Sequence, residues 1–217
     1  NTQVKRILKV ATDYGFDDNL WHNYLTFFLM MSENPFSMTC EKVGASDGSV
    51  NALVENDFRI FKALFDYDFG PIEKDLGIHC FSQISNYKAI HKKDLMYNKN
   101  VSEKVRSLSK KLEAAKDEKE FFDAVTGFYK DYGVGMFGLN KAFRIDDTPQ
   151  GSFTFRAINN MDTVMLDDLV GYEIQKKKLV DNTEAFVQGK KANNVLLFGD
   201  SGTGKSTSIK AIVNQYY

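Results

Sequence analysis

Residues 196–217 read LLFGDSGTGKSTSIKAIVNQYY. Val195, Leu196, Leu197 and Phe198 form an apolar run, which predicts a buried parallel strand. A glycine-rich turn follows, and from Lys205 onward Ile209, Ile212, Val213 and Tyr216 recur at helical spacing. The turn itself, Gly199-Asp200-Ser201-Gly202-Thr203-Gly204-Lys205-Ser206, matches G-x-x-x-x-G-K-[ST] at every constrained position. Glycines let the backbone curl so that successive N–H groups point inward, and the next helix adds its unsatisfied amides and positive end. Such a concave anion site predicts that Lys205 meets the β and γ phosphates of a nucleotide and that the Ser206 hydroxyl binds Mg²⁺. Thr207 is expected near the α phosphate, Gly202 and Gly204 to shape the loop, and Thr203 to offer mainly its backbone N–H.

Moving toward the N-terminus, Leu179, Thr183, Phe186 and Val187 give a helical face that ends near Gly189. FTFRAI at 153–158 alternates as a short strand does, and DDTPQGS at 146–152 has the composition of a loop. Most of the first 145 residues read as helices. Four apolar stripes carry that reading: Trp21, Tyr24, Leu25, Phe28, Leu29; Val50, Val54, Phe58, Phe61, Phe65, with Ser49 placed to cap the start; Val101, Val105, Leu108, Leu112, Ala115; and Phe121, Phe122, Val125, Phe128, Tyr129. The expected fold is mainly α. A helical accessory domain over 1–150 precedes, over 151–217, the first strand-loop-helix portion of an α/β nucleotide-binding module, with the boundary between 146 and 165. Because parallel sheets need both faces covered, strand 195–198 is expected to pair with FTFRAI or a second chain, or else to pack poorly.

LDDLVGYEIQKKKL at 166–179 and NNVLLFGDSGTGKST at 193–207 together resemble the start of an AAA+ ATPase module, where a D-x-V/L-x-G-x-E segment precedes a helix, a strand and the phosphate loop. With FYKDYGVGMFGLNKAFR at 128–144 ahead of it, the arrangement is similar to a family of predicted bacterial AAA+-like ATP-binding proteins of uncharacterised biological role. The resemblance implies ATP and Mg²⁺ as ligands, with Val170, Gly171 and Tyr172 beside the adenine. It also implies that hydrolysis needs an acidic strand end, a γ-phosphate sensor and usually a neighbour's arginine, all after the loop. The expectation is therefore a module cut short just after the loop's helix, catalytically incomplete, with hydrolysis only in the complete protein. VMLDD at 164–168 imitates an acidic strand end but precedes the loop. Asp167 and Asp168 are read instead as facing solvent or capping a helix.

Charge narrows the choice of partners. Lys plus Arg number 28 against 29 Asp plus Glu, so nucleic acid and anionic membranes have no electrostatic claim on the chain as a whole. Two cysteines, Cys40 and Cys80, make no disulfide framework, and no segment reads as a signal peptide or membrane span, so a cytoplasmic protein is expected. Without an initiating Met the chain is expected to begin inside its gene product. The helical domain is expected to engage a protein partner, and a homo-oligomer is open. The alternative is a helical protein-interaction module whose nucleotide loop is non-functional; a P-loop kinase or GTPase is a third reading.

Four further patterns carry less. Gly133-Val134-Gly135-Met136-Phe137-Gly138 satisfies G-x-G-x-x-G but follows a helix, which predicts a close turn rather than a dinucleotide site, with Asn140, Lys141 and Arg144 worth testing should it report on the module. Asp68-Phe69-Gly70 spells the kinase magnesium triplet without its companions, and a turn before Pro71 explains it. His79 and Cys80, with His22, His91 and Cys40, lack zinc-site spacing, so Cys80 is expected buried and His79 partly exposed. Lys176, Lys177 and Lys178, with Lys190 and Lys191, are expected on a solvated face diluted by Glu173, Asp181 and Glu184.

Overall fold

The computed structural model describes residues 2–45, 48–89, 97–149 and 151–217, with the side chains of 49 and 50 also left aside. It divides into two compact units, Asn1–Asn140 and Lys141–Tyr217. The first holds α1 (Thr2–Tyr14), α2 (Leu20–Met31), α3 (Pro35–Val43), α4 (Ser49–Phe65), α5 (Gly70–Leu76), α6 (Cys80–Ser85), α7 (Lys99–Ala114), α8 (Glu118–Tyr132) and α9 (Gly135–Leu139). The chain is thus mainly α-helical.

Local chemistry starts these helices where they start. Asn19, Asn98 and Asp117 each accept an amide hydrogen bond at the head of α2, α7 and α8, and Asn34 and Ser37 form a reciprocal capping box around Pro35 at the head of α3. Apolar stripes then bury one face of each helix. Val101, Val105, Leu108 and Leu112 from α7 and Phe121, Val125, Phe128 and Tyr129 from α8 meet Leu20, Leu25, Leu29 and Met30 of α2 in a single core. At the end of α4 the last carbonyls have no intrahelical donor, and α2 supplies them: Trp21 Nε1 donates to Leu64 O at 2.8 Å and His22 Nε2 to Phe65 O at 2.8 Å.

Two expectations for this unit need correction, and a third falls outside the described residues. Ser49 is the first residue of α4, whose cap position is Gly48. Phe28 lies on the exposed side of α2, because the buried face, which keeps Leu25 and Leu29 of the expected stripe, runs through Leu20, Asn23, Thr26 and Met30 as well. The side chain of Val50 lies outside the described residues, while Phe58 and Phe65 of the same stripe are buried.

The G-x-G-x-x-G segment turns closely at Gly133 and Val134 between α8 and α9, and its last four residues begin α9. A Cβ on Gly138 would lie 2.4 Å from the Gly133 carbonyl carbon and 2.6 Å from its oxygen, so only hydrogen fits there. Gly138→Ala is expected to destabilise the helical unit by about 1–3 kcal/mol, read from a shifted urea midpoint; an unchanged midpoint would mean that the turn relaxes freely.

The second unit opens with an antiparallel hairpin, β1 (Phe143–Asp147) and β2 (Phe153–Ala157), in which Phe143 faces Ala157 and Ile145 faces Phe155. FTFRAI is therefore a strand, but its partner is the segment beside it. Asp146 and Asp147, expected in a loop, belong to β1, and Asp146 takes two hydrogen bonds from Arg156 of β2. The ion pair draws the Asp146 carboxyl below its usual range. Residues on both sides of position 150 thus form one hairpin, which lies wholly within the second unit.

After a 3₁₀ turn at Leu166–Asp168 come α10 (Glu173–Val187) and α11 (Lys205–Tyr216). Asn214 fixes α11 by donating to the carbonyls of Asp162 and Val164 at 2.7 and 2.9 Å, and Tyr216 donates to Glu184 of α10 at 3.0 Å. The expected strand at 195–198 is absent. These residues pair with no strand among the described ones, Leu196 is 82% exposed and Phe198 87%. A strand exists only through its ladder, and β1 and β2 pair with each other without 195–198 adding to either outer edge. The apolar face expected on α10 forms, yet lies open, with Phe186 73% exposed and no residue of that helix buried. Among the described residues no helix is long and apolar enough to cross a membrane.

Candidate functional site

The glycine-rich turn leads directly into α11. Gly202 and Gly204 sit at φ 81° and 78°, a conformation that side chains with a Cβ rarely adopt, and Gly204 is the residue at the head of the helix. The helical ladder begins when Ser208 N donates to Gly204 O at 2.8 Å. By helix geometry the amides of Lys205, Ser206 and Thr207 precede any intrahelical acceptor, and they present the positive end of the α11 dipole.

Lys205 occupies the turn's own oxygens. Its ammonium donates to Gly199 O at 3.0 Å, to Asp200 O at 2.6 Å and to Thr203 Oγ1 at 3.3 Å, while Thr203 Oγ1 donates to Asp200 O at 2.9 Å. Three donors meet three acceptors. The side chain of Thr203, expected to matter mainly through its backbone, thus takes part in holding the turn.

A cavity of about 610 Å³ opens on this turn. Its walls bring Gly199, Asp200, Gly202, Thr203, Gly204 and Lys205 together with Val170 and Tyr172. Gly171, Ser201, Ser206 and Thr207 are not among the lining residues. Gly171 lies beside that wall at φ 84°, and Tyr172 itself has a left-handed backbone at φ 59°. Val170 is 94% exposed and Tyr172 54%.

Among the lining residues that sequence reasoning did not assign to the site, Gln175 and Lys176 are polar members of the α10 wall. Lys176 is no free member of a basic run: its ammonium donates to Leu169 O at 2.8 Å and pairs with Glu173 at 2.8 Å. The Glu-x-x-Lys spacing on one helix was the available signal. Lys177 pairs with Asp181 at 3.0 Å, so the face is largely neutralised.

The remaining candidates have structural roles. Val134 N donates to Glu41 Oε2 at 3.2 Å, so a carboxylate of the fold serves the amide that a cofactor phosphate would need. Asp68 Oδ1 accepts from Gly70 N at 2.8 Å in the turn between α4 and α5. Asp167 and Asp168 are exposed, and Asp168 accepts from Met165 N at 2.7 Å within the 3₁₀ turn. Cys80 is half-buried rather than buried, His79 is exposed, and both thiols are free. His91 lies outside the described residues, among which no group of three or more potential ligands could hold a metal.

His22 is the one titratable group whose burial carries a prediction here. Its ring stacks on Phe65 with centroids 4.0 Å apart, Nε2–H donates to Phe65 O, and Nδ1 is buried without a hydrogen-bond partner, 4.0 Å from Glu113. Desolvation pushes its pKa below 6.5, outweighing the Phe65 carbonyl, Glu113 and Asp66, which pull upward, while Lys62 pushes down. With the folded value below the unfolded one, His22 contributes stability that is complete above about pH 6.5 and lost as the pH falls through the folded value. Unfolding midpoints between pH 7 and 5 should therefore decline, and His22→Gln, which keeps a donor but cannot titrate, should flatten the slope.

Fold and site together define a mainly helical chain whose second unit presents a glycine-rich loop at the head of a helix, opening on a cavity. A family model described as "Protein of unknown function (DUF815)" matches residues 139–217, which takes in that whole unit. Among curated proteins, the replication factor C large subunit of Methanococcus vannielii is 43% identical over 51 residues, a stretch amounting to 24% of this chain and 10% of that protein. No solved structure matches.

Proposed function

We propose that residues 199–207 form an ATP-binding phosphate loop of AAA+ type, with Lys205 reaching the β and γ phosphates, Ser206 holding Mg²⁺ and Thr207 near the α phosphate. The observation that carries this reading is the cavity in which the turn, with its glycines at positive φ and helix amides behind it, meets Val170 and Tyr172 of the neighbouring wall. The partial similarity to a replication factor C large subunit supports the same class. In the whole protein the bound ATP would be hydrolysed to drive a conformational change, with the helical unit selecting a protein partner in the cytoplasm.

A second reading has its own support. The ammonium of Lys205 is bonded to the turn, and 195–198 lies exposed and unpaired, as expected of a helical protein-interaction module whose nucleotide loop is inoperative. Calorimetric titration of the chain with Mg·ATP separates the two. Saturable one-site binding supports the ATP reading; no heat at millimolar nucleotide leaves the interaction module.

A further inference from the structure

Two neighbouring helices of the first unit turn apolar side chains toward solvent while burying polar ones. In α2, Asn23 and Thr26 are buried and His22 is half-buried, whereas Phe28 is 46% exposed and Met31 37%. In α4, Phe58 and Phe65 fill the core, yet Leu53, Ile60 and Leu64 form a second apolar stripe at helical spacing, 78%, 45% and 38% exposed. A helix that is apolar on two sides is expected to be covered on both. The two open faces adjoin: the Phe28 ring lies 6.3 Å from that of Phe61, and Trp21 Nε1 donates to the Leu64 carbonyl at 2.8 Å, which fixes α2 against α4. Apolar surface that runs across two helices, with Phe and Met in it, has the composition of an interface core.

Charge selects the occupant. Asp57 is exposed one turn before Phe61, and Asp68 is exposed just beyond the end of α4. The bases of α4 are engaged: Lys62 is buried and pairs with Asp66, and Arg59 donates to Asn56 at 2.7 Å. We infer that the open face of α2 and α4 is a docking surface for an amphipathic helix of a partner protein, whose apolar stripe covers Phe28, Ile60 and Leu64 and whose basic flanks meet Asp57 and Asp68. A second copy of this chain fits less well, because a twofold contact through this face brings two acidic rims together. The inference rests on the partner-selecting role proposed for the helical unit and needs no nucleotide at Lys205.

Fluorescence anisotropy with the full chain and three labelled synthetic peptides tests it. One peptide is a helix with a leucine stripe and lysine flanks, the second keeps the stripe with glutamate flanks, and the third scrambles the first. The basic helix should bind saturably at one site, about tenfold or more tighter than the other two. Ile60→Ser combined with Leu64→Ser should weaken it by about tenfold or more, and Asp57→Lys by about fivefold. Asp57→Lys leaves the apolar face intact, so it reads the charge requirement even if the double variant loses stability. Val43→Ser, an exposed change at the end of α3, should leave affinity within about twofold. Equal affinity for the basic and acidic helices, or binding untouched by both α4 variants, overturns this surface while leaving a partner role elsewhere on the helical unit. Dimers in sedimentation, or adsorption to phosphatidylcholine vesicles, if lost in the double variant, overturn it by assigning the face to a second copy or to lipid. No binding by any peptide removes the surface and the partner role together, and leaves the Mg·ATP titration to judge the phosphate loop by itself.

Discussion

Replacing Lys205 by alanine is expected to weaken Mg·ATP binding by about a hundredfold, the scale of losing charge-assisted hydrogen bonds to phosphate oxygens. The same ammonium now bridges Gly199 O, Asp200 O and Thr203 Oγ1, so binding has to exchange those three acceptors for phosphate. Lys205→Arg should recover only part of the loss, because a planar fork cannot satisfy three converging acceptors as an ammonium does. The side chain lies outside the buried core, so the unfolding midpoint of the helical unit should be unaffected by either change. Retention of full affinity in Lys205→Ala would remove the lysine from the site. Loss of affinity together with global unfolding would instead identify a structural defect.

The second large effect belongs to the core. Phe121 of α8 is fully buried, with its ring edge-on to Phe65 at 5.6 Å and to Phe58 at 6.5 Å, so it joins α8 to α4. Phe121→Ala removes a ring from a site that the surrounding helices cannot collapse to fill, at a cost of about 3–5 kcal/mol. Phe198→Ala provides the contrast: an equally large side chain, 87% exposed, whose removal should change stability by less than about 0.5 kcal/mol. Urea denaturation of both variants checks the pair. Comparable losses would mean that 195–198 is covered in solution after all.

That contrast also shows where the sequence was legible. The stripes of α2, α4, α7 and α8 could be read because apolar spacing reports which side of a helix turns inward. It does not report whether anything covers that side. α10 and α11 were therefore placed correctly, but their faces at Phe186 and Ile209 lie open. The run at 195–198 failed for a related reason: its composition suits a buried strand, but pairing is settled by a partner elsewhere in the chain. β1 was missed because Asp146 and Asp147 have loop chemistry, and the cross-strand Arg156 that accommodates Asp146 lies ten residues away.

Within the candidate site, the turn and its glycines were evident from the motif, because their conformational demands are local. The wall around Val170 and Tyr172 came from a resemblance and coincides with the lining of the same cavity. Lys176 and Gln175 were not foreseen. A run of three lysines reads as a solvated face, and only the fold shows that one of them folds back onto Leu169 O.

The central claim is that the amides at the head of α11 receive a triphosphate. Amide NMR of the isotopically labelled chain during a Mg·ATP titration tests it most directly. Saturable shifts concentrated at Gly202, Gly204, Lys205, Ser206 and Thr207, absent in Lys205→Ala, are the predicted result. Amides in that stretch that stay unmoved at saturating nucleotide would contradict it.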